Sequence, residues 1–133
     1  MKIPVEFKTT SANIKDIPSD KQKLLIEAGT TIRDSIASGY KKWKAKCLLI
    51  IEGQASNDNY QFNYELSYER ALSLVKLWSA NHVKFDSTQC DVIISGSGKS
   101  GVLRIQPDNA TNTANQRFLI QIIPKPGIIT KNK

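Results

Sequence analysis

The chain has 133 residues, 40% of them hydrophobic and 23% charged. That is the size and composition of one folded domain, large enough to bury about two-thirds of its unfolded surface, and it excludes a disordered chain. No apolar run approaches the roughly 20 residues needed to cross a bilayer, and no apolar signal region follows Lys2, so any membrane attachment is expected through a missing N-terminal segment. The balance of 19 basic against 12 acidic side chains leaves +7. Such a charge suits nucleic acid, an acidic lipid surface or a cell-wall polymer, and equally a merely solubilising surface.

Taken in chain order, Ile3, Val5 and Phe7 alternate with Pro4 and Glu6 and predict a first strand. A helix is expected from a cap at Ser19 or Asp20, with Leu25, Ala28, Ile32 and Ile36 forming one apolar stripe and Gly39 ending it. The lysine-rich run from Lys41 to Lys46 then leads into a second strand, Cys47 to Ile51, apolar on both faces and therefore central in a sheet. A polar loop follows from Glu52 to Gln61. The second helix spans Asn63 to Ala80 and buries Ala71, Leu74, Val75 and Trp78. Asp91 to Ser95 is a third strand, residues 96 to 115 form a long Gly- and Asn-rich loop, and Arg117 to Ile123 is the fourth strand.

The expected fold is α+β, a two-layer β-α-β-α-β-β sandwich with a mixed sheet and both helices packed on one face. Residues 1–124 make one domain and 125–133 a loose basic tail. A right-handed crossover through the second helix would make the second and third strands parallel neighbours. Cys47 and Cys90 would then lie at the same edge, either as a disulfide closing a long loop or as two buried reduced thiols.

Chemistry-bearing patterns are few. Ser95-Gly96-Ser97-Gly98-Lys99-Ser100 looks like the end of a phosphate loop, but the first glycine of that motif would fall on Ile93 within a strand, and no helix can follow before Pro107. A glycine turn is expected instead. His82 is the sole histidine and stands outside any ligand spacing. No Ser-His-Asp or Cys-His constellation can be assembled, so no enzyme, no metal and no cofactor are expected. Nucleic-acid binding is not expected either, because the sequence lacks the aromatic and basic interleaving of a stacking platform.

The informative block is Asn63-Tyr64-Glu65-Leu66-Ser67-Tyr68-Glu69-Arg70-Ala71. Asn63, Leu66, Ser67 and Arg70 share one face of the second helix near its positive end, with Asn63 expected as a cap. A guanidinium beside exposed helix amides is a site for a carboxylate; equally, Arg70 could pair with Glu52, Asp58 or Glu69 at the surface. Together with Ile51-Glu52-Gly53-Gln54-Ala55-Ser56 and Asn115-Gln116-Arg117-Phe118, this order and spacing resembles the outer-membrane protein A C-terminal domain family. That family includes peptidoglycan-associated lipoproteins and the periplasmic domains of flagellar-type stator proteins. Its pattern is a strand ending Glu-Gly-His-Thr-Asp, a helix opening Asn-x-x-Leu-Ser-x-x-Arg-Ala, and a last strand opening Asn-Arg-Arg-Val.

The resemblance implies a non-catalytic domain that binds the diaminopimelate-type peptide stem of peptidoglycan. Its parent would be an envelope protein or an ion-driven motor stator, anchored to the membrane and working in the periplasm. It implies that Arg70 grips a diaminopimelate carboxylate. The family aspartate that holds the ammonium group falls on Ser56, and Asp58, two residues on, is the substitute acid. Gln116 replaces one family arginine, while Asn115 and Arg117 match and are expected to be partly structural. Ser56 also raises the alternative that the fold is kept as a dimerisation or protein-interaction module, with a homodimer as the partner and the wall ligand weakened or lost.

Overall fold

The computed structural model describes residues 2–4, 7, 11–100, 104–109 and 116–125. Its elements are strand β1 (Lys2–Pro4), a short 3-10 turn (Ile14–Asp16), helix α1 (Ser19–Trp43), strand β2 (Cys47–Gly53), helix α2 (Asn63–Ala80), strand β3 (Cys90–Gly96) and strand β4 (Arg117–Pro124). The strands form one mixed sheet in the order β1-β4-β2-β3. β2 runs parallel to β3 and antiparallel to β4, and β1 is antiparallel to β4. The expected α+β sandwich, with its helices layered on one face of a mixed sheet, is therefore the observed architecture.

Residue pattern explains each element. Along β2, buried Cys47, Leu49, Ile51 and Gly53 alternate with half-buried Leu48, Ile50 and Glu52, so one face of the strand meets the helices. α1 buries Leu25, Gly29, Ile32 and Ile36; α2 buries Asn63, Leu66, Ser67, Arg70, Ala71, Leu74 and Trp78. Both sets follow the spacing of three and four that keeps side chains on one helical stripe. Trp78 is fully buried and donates its indole N–H to the Leu25 carbonyl at 2.8 Å, while its ring occupies the space that Gly29 leaves open on α1.

Several sequence expectations shift. Gly39 does not end α1; the helix runs on to Trp43 and stops at Lys44, whose φ of 55° is left-handed and whose N–H reaches the Tyr40 carbonyl. Pro18, not Ser19 or Asp20, precedes α1, and Phe62 precedes α2. Asn63 is thus the first helical residue rather than a side-chain cap. β1 is described over Lys2–Pro4, and the expected continuation to Phe7 passes through residues outside the described set. Of the expected tail, residues 126–133 are also outside it, but Lys125 is held by an ion pair to Asp91 at 2.7 Å.

Cys47 and Cys90 are register partners on β2 and β3, and the disulfide weighed for them is not formed: both are buried free thiols. Neighbouring strands stand about 4.8 Å apart with their side chains projecting side by side. The two thiols are close enough to hydrogen-bond to each other. Burial pushes the Cys47 thiol up, and burial together with the neighbouring Cys47 pushes Cys90 from 9.0 to about 11. Folding therefore favours the protonated thiols. Their contribution is whole below the unfolded value and is lost as pH climbs from 9.0 through about 11. Between those limits the chain should lose on the order of 2 kcal/mol more stability than a Cys47→Ala, Cys90→Ala variant, read by urea denaturation. Equal losses in the two proteins would remove the thiols from the account.

Candidate functional site

The first two turns of α2 sit over the ends of β2 and β3, and two glycines make that possible. A Cβ on Gly53 would lie 1.9 Å from the Ser67 carbonyl oxygen, and one on Gly96 would lie 2.4 Å from the Tyr68 nitrogen. Ser67 is locked into the same seat. Its hydroxyl donates to the Tyr64 carbonyl at 2.9 Å and accepts the Gly98 N–H at 2.8 Å. Gly98, at φ 61°, belongs to a turn closed by Ser100 N–H on the Ser97 carbonyl. The glycine-rich segment is therefore a turn that props α2. Its Ser97 and Gly98 amides are already used, on Gly53 and Ser67, and it is not a phosphate cradle.

Arg70 faces inward from this seat and is only 3% exposed. Its Nε donates to the Ser11 carbonyl at 2.9 Å, and its guanidinium lies 4.8 Å from the Phe7 ring centroid. Burial draws the arginine down to about 10, against the pull of Asp58 and then Asp16, so it stays charged at neutral pH. Asp58, one of the acids weighed from the sequence, thus acts on it together with Asp16. One oxygen of Asp16, Oδ2, is buried without a hydrogen-bond partner. Ser73 reinforces the cover over this face by donating to the Ala12 carbonyl at 2.6 Å.

The loop after β2 brings the other sequence-derived residues to the same end. Asp58 Oδ1 accepts from the Tyr60 N–H at 3.0 Å and from Asn63 Nδ2 at 2.8 Å. This fixes the acid at the mouth of α2 and explains why Asn63 points away from a capping position. Ser56, 4% exposed, accepts a 3.2 Å bond from Gln116 Nε2, and Gln116 Oε1 is buried without a partner. Leu66 lies buried on the same helical face as Arg70. Arg117 donates through Nε to Gln54 Oε1 at 2.7 Å, tying the start of β4 to the loop after β2. Asn115 lies outside the described residues.

A further basic residue, Arg104, which the sequence reading did not single out, also organises the loop. Arg104 is nearly buried and clamps Asp108 with two bonds, Nε to Oδ2 at 3.1 Å and Nη2 to Oδ1 at 2.8 Å. It also donates to the Ala55 carbonyl at 2.9 Å, and the Asp108 carbonyl accepts from Asn57 Nδ2 at the same distance. Residues 55–57 are thus held between the clamp and β4. The site that results is a buried arginine, a pinned aspartate two residues past Ser56, and a neutral Ser56–Gln116 pair. Chemically it offers a guanidinium as counter-charge for a carboxylate and a carboxylate as counter-charge for a cation, and among the described residues no cluster could hold a metal ion.

Comparison with known proteins places the fold. No protein-family model and no curated protein sequence matches the chain. The chain is similar in structure to the peptidoglycan-associated lipoprotein of Burkholderia pseudomallei (TM-score 0.58, 16% identity, 91% of this chain and 88% of that one). It is similar to the OmpA-like domain of FopA1 from Francisella tularensis (TM-score 0.61, 19% identity, 92% and 72%). It is similar also to the periplasmic domain of Helicobacter pylori MotB (TM-score 0.58, 16% identity, 93% and 74%). The chain therefore has the OmpA-like fold, the one that the sequence blocks resemble.

Proposed function

We propose that this chain is a non-catalytic anchor that binds the peptide stem of peptidoglycan and so holds an envelope protein or motor stator to the cell wall. The observation that carries this reading is the gathering of buried Arg70 and of Asp58, held by Asn63 at 2.8 Å, at the N-terminal turns of α2. It is supported by a fold shared with a peptidoglycan-associated lipoprotein and a periplasmic stator domain. Arg70 takes a carboxylate of diaminopimelate, and Asp58 takes the ammonium group in place of the residue at Ser56. Asn63 positions Asp58, Leu66 and Ser67 seat the helix, and Arg117 holds the loop. The chain works in the periplasm.

The Ser56–Gln116 pair favours one other reading, an interaction module that forms homodimers through the same fold. Sedimentation with purified sacculi separates the two. The chain is expected to pellet, free diaminopimelate to release it, and Asp58→Asn to weaken pelleting about tenfold. A chain that stays in the supernatant while sedimenting as a dimer in the ultracentrifuge would sink the anchor.

A further inference from the structure

The opposite end of β2 carries a surface that the wall-binding reading does not use. β2 is seven residues long, so Cys47 lies about 20 Å from the Gly53 end that holds the site. Around Cys47 the last turn of α1 and the ends of β2 and β4 enclose an apolar groove of about 300 Å³, lined by Ile36, Tyr40, Trp43, Ile122 and Pro124 among others. Trp43 is 70% exposed and Ile122 47% exposed, an unusual display for these side chains.

Lysines surround the groove. Lys41 and Lys42 end α1, Lys44 is its left-handed cap, Lys46 leads into β2, and Lys125 follows β4. Lys42 Nζ lies 5.2 Å from the Trp43 ring centroid and Lys44 Nζ lies 5.7 Å from that of Tyr40, so their charges flank the aromatic rings. The acids here are already engaged: Asp91 pairs with both Lys46 and Lys125, and Asp34 with Arg33. The patch keeps a strong positive balance.

An indole at the rim of an apolar groove, ringed by lysines on flexible stems, matches the boundary of a bilayer. There the ring sits at headgroup depth, the groove meets acyl carbon, and the ammonium groups reach anionic headgroups. Single-stranded nucleic acid would need successive stacking rings along a basic track. Here Trp43 is the one strongly exposed ring, and the wall beside it is Ile122 and Pro124. We infer that the α1 C-terminus and the adjoining groove are a docking surface for an anionic lipid bilayer, at the end of the molecule remote from Arg70.

Flotation with vesicles tests this on the whole chain. The chain should float with vesicles of equal parts phosphatidylcholine and phosphatidylglycerol, not with phosphatidylcholine alone, and rising salt should release it. Trp43 should shift its emission to the blue on binding, and the signal is clean because the other tryptophan, Trp78, is already fully buried. Each lysine removed should weaken binding about fivefold, so Lys41→Gln, Lys42→Gln and Lys44→Gln combined should cost about a hundredfold. These positions are exposed, and an unchanged melting temperature will confirm that the variant is folded. Absence of flotation, flotation unaffected by the three substitutions, or retention on single-stranded DNA in place of vesicles would overturn the proposal. Arg70→Lys should leave flotation unchanged, so failure of wall binding and failure of lipid binding are read separately.

Discussion

Arg70→Ala is expected to abolish pelleting with sacculi, a loss of at least a hundredfold, and to lower stability by about 3 kcal/mol. Both effects have one origin. The guanidinium is buried, supplies a donor to the Ser11 carbonyl, stacks on Phe7, and faces Asp58 and Asp16 in a setting with little water. Alanine leaves the Ser11 carbonyl without that donor, empties the buried space against Phe7, and removes the cation facing two half-buried acids. Because folding and binding fall together, Arg70→Lys is the informative companion. It keeps a positive charge but not the planar fork, so it should regain most of the stability while binding at least tenfold more weakly. Guanidinium denaturation and pelleting, run on both variants, check this. An Arg70→Ala chain that is folded and pellets like the parent would remove the arginine from the site.

Gly53→Ala is expected to be the most damaging added methyl among the described glycines. Its Cβ would stand 1.9 Å from the Ser67 carbonyl oxygen and 2.8 Å from the carbonyl carbon, both belonging to the backbone of α2. No rotamer relieves a backbone clash, so the helix must lift from the strand ends. That shift takes with it the Ser67 bonds to Tyr64 and Gly98. A loss of about 4 kcal/mol follows, with a fall in melting temperature on the order of 10 °C or more. Gly39→Ala is the internal control. It is helical, nothing lies within 4 Å of the added methyl, and alanine there should stabilise by about 0.5–1 kcal/mol. Thermal melts of the two variants moving in the same direction would contradict the packing described.

Much of the architecture was legible because it rests on periodicity. The stripe on α1, the inward face of α2 and the apolar β2 each follow from residue spacing, and the parallel pairing of β2 with β3 from the handedness of the crossover. Termini were less legible. Gly39 stops nothing because the helix continues past it across open space, and Lys44 supplies the left-handed residue instead. Asn63 looked like a cap and is a donor to Asp58, since Phe62 stands at the boundary. In the site, Arg70 and Asp58 carried local signals. Its cover of Ser11 and Phe7 and the Gln54–Arg117 bond did not. Ser11 and Arg70 are 59 positions apart, and Gln54 and Arg117 are 63 apart. Contacts of that range leave no periodic trace.

The sheet order also sets what happens when the fold fails. Among the described residues β3 is an outer strand, and its centre, Asp91-Val92-Ile93-Ile94, is rich in β-branched side chains with Val92 and Ile93 exposed. Such a strand is a template for pairing with another chain. Two features blunt it: Asp91 and its lysines at one end, and the N-terminal turns of α2 pressed on Gly96 at the other. Substitutions that lift α2 therefore uncover the edge before the sheet itself melts. Their fate in concentrated solution is aggregation through β3, with turbidity rising ahead of the loss of helix, where Gly39→Ala melts clear.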